Sequence, residues 1–277
     1  MGCSSAKQER QCTPLQTINR KVKLRWLGHS GFRIEVPDIQ DASINRCIYI
    51  DPWLDNPFLP EDLKGKVPND ADLVLITHGH FDHSSSAPGI IKASSKKEAK
   101  IICNYELFQF YQKHHGVKEE QGAPMNKGGQ LDFGYCRVQM VSADHSSTCL
   151  LRDQTMTQGG EPCGFVVSAG GANIYHAGDT NVFGNMAIID KLYKPTHLLL
   201  PIGGSFTMGP REAAYAVSRF LPSATVTIPM HFGTFPLLKG TTEEFEAHLR
   251  KFQPEFKRKP IKVIAPQKLM LLDSVLP

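Results

Sequence analysis

No apolar run in the 277-residue sequence is longer than about seven residues, against the roughly 20 that a membrane-spanning helix needs, and the N-terminus has no apolar leader. A chain that neither crosses a membrane nor is exported is the expectation. CxxC spacing is also missing: the seven cysteines, at 3, 12, 47, 103, 136, 149 and 163, are odd in number and scattered. That excludes a disulfide framework or a structural zinc knuckle and suits a reducing compartment. Low-complexity blocks are absent, as is any repeat of the 20–50-residue kind that builds solenoids. Excess charge is missing from the body of the chain. The net +4 resides in the first 23 residues, where Lys7, Arg10, Arg20, Lys21 and Lys23 stand against Glu9, and the remainder is balanced. Nucleic acid is therefore not an expected partner, because binding it takes a concentrated basic face. The local cluster Lys257, Arg258, Lys259 and Lys262 reads as a solvated face.

The opening "MGCSSAKQER" contains Gly2 directly after the initiator Met, as an N-myristoylation signal does, and Cys3, where palmitoylation would add a second lipid chain. Ala6 stands where the usual pattern has Ser or Thr. Residues 1–21 read as a flexible polar tail, and 22–277 as one domain. The expected location is the cytoplasm, with peripheral attachment to the inner face of a membrane if the tail is acylated.

What is present is a dense set of short strands. Segments 22–28, 32–36, 46–51, 72–77, 100–104 and 135–141, then 164–169, 173–178, 196–202 and 224–230, are rich in β-branched and aromatic residues and separated by turn residues. Helices are expected at Glu106–His115, Asn185–Leu192, Pro210–Phe220 and Thr242–Phe252, the third opening with Pro in its first turn. Pro- and Gly-rich joints near 120–130 and 157–164 read as loops. The fold class is α/β, with strands enough for two sheets.

Four apolar runs end in a metal-type ligand: "LVLIT" at His78, "VQMVSAD" at His145, "NIYHAG" at Asp179 and "VTIPM" at His231. In α/β proteins chemistry gathers outside the carboxyl ends of strands, where a rigid sheet holds converging loops. His78 and His80 are two apart, so in an extended segment both imidazoles project to one side and can bind one ion. A turn after Gly79–Phe81 brings Asp82 and His83 round to a second ion, and His145, Asp179 and His231 are the candidates to complete both.

"THGHFDH" resembles the HxHxDH signature of the metallo-β-lactamase superfamily, and "SADHSS", "HAGDT" and "IPMHFGTFP" resemble its later ligand motifs in the same order. "WLGHSGFRIE", "IDPWLDNP" and "LLPIGGSFTMGPREAA" are similar to the branch of metal-dependent hydrolases that includes L-ascorbate-6-phosphate lactonase and, more distantly, N-acylphosphatidylethanolamine phospholipase D. The resemblance, over about residues 22 to 240, implies a four-layer αββα sandwich with a dinuclear site on one edge. It implies His78, His80 and His145 on one cation, Asp82, His83 and His231 on the other, and Asp179 bridging them, with Asp82 and Asp179 the catalytic carboxylates. Imidazole and carboxylate ligands without thiolate suit zinc, manganese, iron or nickel, and family habit favours zinc.

The expected reagent is a hydroxide shared by the two cations, attacking a phosphodiester, lactone or related ester of a small molecule or lipid, with Asp82 or a bound water handling the proton. His29, in the turn "GHSG", is expected to line the substrate pocket, and Gly203 and Gly204 of "PIGGSFTMGP" to contact the substrate through backbone N–H groups. Asp51 and His176 are expected to support ligands from behind. The aromatics of "HFGTFP" read as core packing, and His114, His115, His197 and His248 as surface or core residues. Two other functions fit less of the sequence: a metal-binding scaffold or sensor without turnover, and a nucleic-acid phosphodiesterase.

Overall fold

The computed structural model describes residues 22–41, 43–151 and 153–270. Gly2, Cys3 and the rest of the expected N-terminal tail lie outside the described residues. One sheet carries β1 (Lys23–Trp26), β2 (Phe32–Pro37), β3 (Asn45–Ile50), β4 (Leu73–Leu75) and β5 (Lys100–Ile102) in that spatial order. β1–β2 and β2–β3 pair antiparallel, β3–β4 and β4–β5 parallel. Helices α1 (Phe81–Ser84), α2 (Ala87–Ala93) and α3 (Tyr105–His115) accompany it.

The second sheet uses β6 (Gln130–Asp132) and β7 (Arg137–Ser142) at one end, followed after a two-stranded ribbon of β8 (Thr148–Leu150) and β9 (Met156–Gln158) by β10 (Cys163–Ala169) and β11 (Ala172–His176). β12 (His197–Pro201), β13 (Val226–Met230) and β14 (Lys262–Val263) complete it, with α4 (Met186–Tyr193), α5 (Pro210–Phe220) and α6 (Thr242–Glu255) between and after them.

Strand alternation sorts the apolar residues into three layers of contact. Leu24, Ile34, Ile48 and Ile50 of the first sheet meet Val138, Phe165, Val167 and Ile228 of the second in a central cluster. The opposite face of the first sheet, with Tyr49, Val74 and Ile101, packs on Ile90, Leu107 and Phe108 of α2 and α3. The opposite face of the second, with Val166, Tyr175 and Leu198, packs on Ala213, Val217 and Phe245 of α5 and α6. Helix, sheet, sheet and helix make the four-layer αββα sandwich. Each such Leu, Ile or Phe removed from water contributes about 1.5–3 kcal/mol. Among the described residues no helix is long and apolar enough to cross a membrane.

Local rules explain most boundaries. Asn104 caps α3 by accepting from the Leu107 N–H at 2.8 Å, and Gly116, at φ 63°, closes it in the left-handed conformation. Thr241 and Glu244 form a capping box on α6. That helix runs past the expected stop at Phe252, through Pro254 to Glu255, because a proline in a last turn removes a single donor. Pro229 sits inside β13 without loss: Thr227 sends its carbonyl to the Ile264 N–H, so the nitrogen two residues on faces the same way, past the end of the two-residue β14. The short elements β6, β8, β9, β14, α1 and α2 were not expected, and β6 and β9 border joints expected to be loops.

The pairing directions place the carboxyl ends of β1, β3 and β4 on one edge of the first sheet, and those of β7, β11, β12 and β13 on one edge of the second. The chain leaves those ends into His29, Asp51, His78, His145, Asp179, Gly203 and His231.

Candidate metal centre

The chain leaves β4 extended, and the imidazoles of His78 and His80 turn to the same side: His78 Nε2 lies 3.0 Å from His80 Nδ1. His80 then occupies the position before α1, whose single turn carries Asp82 and His83. His78, His80 and His145 bring one nitrogen each within 4.8 Å of one another; His29, Asp82, His83 and His231 form a second group of that kind. Asp179 lies between the groups. Its carboxylate oxygens are 4.0 Å from His78 Nε2 and 3.6 Å from His145 Nε2 on one side, 3.4 Å from His83 Nε2 and 2.8 Å from His231 Nε2 on the other.

The loops are braced to one another. Asp51 is fully buried and its oxygens accept from the Thr77 N–H at 2.8 Å, the Thr77 hydroxyl at 2.6 Å and His83 Nδ1 at 2.8 Å. Its side chain shares a third ligand-like group with His78 and His83, but with those bonds made it orients histidines and has little left for a cation. Ser147 accepts from the Gly79 N–H at 3.0 Å, tying the His145 loop to the His78–His80 turn. Thr180 accepts from the Asp144 N–H at 2.9 Å, tying the Asp179 loop to the His145 loop. His176 donates from Nε2 to the Ser30 carbonyl at 2.8 Å and accepts at Nδ1 from the Gly178 N–H at 3.1 Å, which sets a neutral tautomer between two site loops.

Three of these residues have left-handed backbones although none is glycine: His29 at φ 51°, Asp51 at 45° and His231 at 53°. Such strain persists where neighbours over-determine it. Here the Asp51 N–H donates to the Leu75 carbonyl at 2.9 Å, and the His29 carbonyl accepts from the His231 N–H at 3.2 Å and from Trp26 Nε1 at 3.0 Å.

His29, expected to line a pocket, is fully buried and faces Asp82 instead, with Nε2 3.1 Å from Asp82 Oδ2 and Nδ1 2.6 Å from the Thr234 hydroxyl. Gly203 is also buried, and a Cβ there would stand 2.1 Å from the His231 carbonyl oxygen. Its glycine permits that close approach. The Gly204 N–H, expected to face a ligand, donates to the Met208 carbonyl at 3.0 Å.

Burial lowers the pKa of His78, His80 and His145, keeping these imidazoles in the neutral form that binds a cation. Burial and neighbouring His231 bring His29 down to about 4. His83 is the opposite case: burial works against its charge, but Asp179, Asp82 and Asp51 outweigh it and hold the pKa well above the usual histidine value. Asp179 and Asp82 lie below the usual carboxylate range, since burial is overcome by His231 and His83 at the former and by His83 and His29 at the latter.

These residues fit a divalent cation site. Buried His83 Nε2 and Asp179 Oδ1 have no hydrogen-bond partner among the described residues, the donors are all imidazole or carboxylate, and two imidazole nitrogens point at each other. Sequence reasoning missed Thr77 and Thr234. Thr77 directly precedes His78 and Thr234 lies in "HFGTFP", yet nothing local shows that they bond partners 26 and 205 positions away.

A family model described as the beta-lactamase superfamily domain matches residues 46–232. The UPF0173 metal-dependent hydrolase of Rubrobacter xylanophilus is 43% identical over 232 residues, 83% of this chain and 89% of that protein. A UPF0173 metal-dependent hydrolase of Koribacter versatilis is 44% identical over 227 residues, 81% of this chain and 90% of the relative. Among solved structures, Igni18, a metallo hydrolase from the hyperthermophilic archaeon Ignicoccus hospitalis, matches with a TM-score of 0.67 at 32% identity, over 88% of this chain and 94% of its own.

Proposed function

Since the chain belongs to the metallo-β-lactamase superfamily and is a metal-dependent hydrolase, we propose that it works with two divalent cations, zinc first among zinc, manganese, iron and nickel, on a phosphodiester, lactone or related ester. In this reading His78, His80 and His145 hold one cation, Asp82, His83 and His231 the other, and Asp179 belongs to both. The observation that carries it is the reach of the single Asp179 carboxylate to imidazoles of both groups, at 2.8 to 4.0 Å. Bound there, such cations would supply the positive charge that acidifies water toward neutrality and stabilises negative charge growing on the substrate.

The protein's own residues do the rest. Asp51, Thr77 and His176 hold the ligands in place. Asp82, whose side chain is 13% exposed against 4% for Asp179, is the carboxylate with access to a proton at the mouth of the site. His29 Nε2 donates to it and keeps it ionised and oriented. No described cysteine offers a competing nucleophile: all five are buried, and burial pushes their thiol pKa values up.

The test is hydrolysis by zinc-loaded protein across phosphodiester, lactone and ester substrates, alongside H80A and D179A. Each variant is expected to lose turnover by at least about 100-fold with an unchanged far-UV circular dichroism spectrum. Full activity in either one overturns the assignment.

A further inference from the structure

Phe81 lies in the chain between His80 and Asp82, and 46% of it is exposed. Its ring stands edge-on to Trp53 at 5.6 Å and to Phe235 at 6.3 Å, and Trp53 and Phe235 stack on each other at 5.6 Å. Both reach back to His29, at 5.4 and 5.7 Å. An aromatic shelf therefore begins at the candidate ligands themselves and ends in an exposed ring. On two further loops that leave the same edge of the second sheet, Phe206 is 57% and Leu237 55% exposed, and the Ser205 hydroxyl ties the loops together by donating to the Leu237 carbonyl at 3.0 Å. Leu237 follows His231 and Phe235 on the same loop. Large apolar side chains grouped in the open mark a binding surface.

Charge points the same way. The seven loops that carry the site, 28–31, 51–59, 78–86, 143–147, 178–185, 202–209 and 231–240, contain one lysine, Lys239, and five aspartates, Asp51, Asp55, Asp82, Asp144 and Asp179. Proteins that recognise phosphate groups place Arg or Lys around them, often as a bidentate fork. These loops have no arginine at all.

We propose that the site, if it hydrolyses esters as read above, takes an uncharged carboxylic ester or lactone whose apolar acyl portion lies on the Phe81–Trp53–Phe235 shelf, in preference to a phosphate-bearing substrate. Water adds to the acyl carbon, the acyl C–O bond breaks, and the proton released by the water ends on the departing oxygen, giving an acid and an alcohol from an open ester and a single hydroxy acid from a lactone.

The experiment uses the full-length zinc-loaded protein with p-nitrophenyl acetate, butyrate and octanoate and with bis(p-nitrophenyl) phosphate. kcat/KM is expected to rise about tenfold or more from acetate to octanoate and to exceed that for the phosphodiester. F81S, and separately F206S on a different loop, are expected to pull the octanoate-to-acetate ratio toward one. Faster phosphodiester hydrolysis, or ester hydrolysis with no chain-length preference, overturns the inference while leaving the hydrolase reading in place. Inertness toward every substrate with both cations bound overturns that reading, and the inference with it.

Discussion

Replacing Asp51 by asparagine changes one oxygen to nitrogen at the junction of both ligand groups. In the native arrangement the Thr77 hydroxyl proton goes to the Asp51 carboxylate at 2.6 Å, which leaves the Thr77 oxygen to accept from His78 Nδ1 at 3.0 Å. His83 donates from Nδ1 to the same carboxylate at 2.8 Å. One buried aspartate thereby keeps the Nδ1 proton on both histidines and presents both Nε2 atoms to the site. An amide cannot do this: with its oxygen on the Thr77 N–H, its NH2 faces the donors of His83 and Thr77, and flipped, it faces the Thr77 N–H. The loss is of the order of one hydrogen bond to a charged group, about 1.5–3 kcal/mol. At about 1.4 kcal/mol per decade this is roughly a 10–100-fold weaker hold on cations, the same range as found when supporting partners of metal ligands are removed. Zinc affinity of D51N, measured by competition with a chromophoric chelator, is expected to fall by that amount at both sites, with the fold intact by circular dichroism. Affinity within twofold of the native protein would refute the orienting role.

Cation binding should also release protons. The carboxylates around His83 keep it protonated at pH 7 without a cation, and a cation must displace the Nε2 proton. Apparent affinity should therefore rise with pH across the neutral range, and calorimetry in buffers of differing ionisation enthalpy should count at least one proton released near pH 7; none would contradict the charge state assigned to His83. G203A should crowd the His231 carbonyl, which lies 2.1 Å from the added carbon, and lose roughly 1–3 kcal/mol in urea unfolding, as overpacking typically does. Native-like stability in G203A would mean that this close approach is not needed.

The fold was legible wherever a strand or helix was long enough to show its period. β2, β10 and β13 and the helix Pro210–Phe220 lie within a residue or two of where the apolar pattern puts them. β6, β8 and β9, three residues each, and the two-residue β14 are too short to display alternation: β6 and β14 form against the edge of a longer strand, and β8 and β9 form only by pairing with each other. The ligand-type residues were legible because His and Asp recur at the ends of apolar runs, and the structure draws those runs to one edge. Their surroundings were not. The burial of His29 behind Asp82, the bond from the Gly204 N–H to Met208, and the left-handed backbones of His29, Asp51 and His231 all arise from contacts between loops far apart in sequence. Chemistry-bearing residue types can be picked out locally, whereas which side of the site each one faces is a tertiary property.

The central claim, that one carboxylate joins two cation sites, is most directly tested by crystals of the zinc-loaded protein measured at the zinc absorption edge. Two anomalous peaks about 3.5–4 Å apart are expected, one among His78, His80 and His145, the other among Asp82, His83 and His231, with Asp179 touching both. A single peak, or a pair that Asp179 does not reach, would contradict the account.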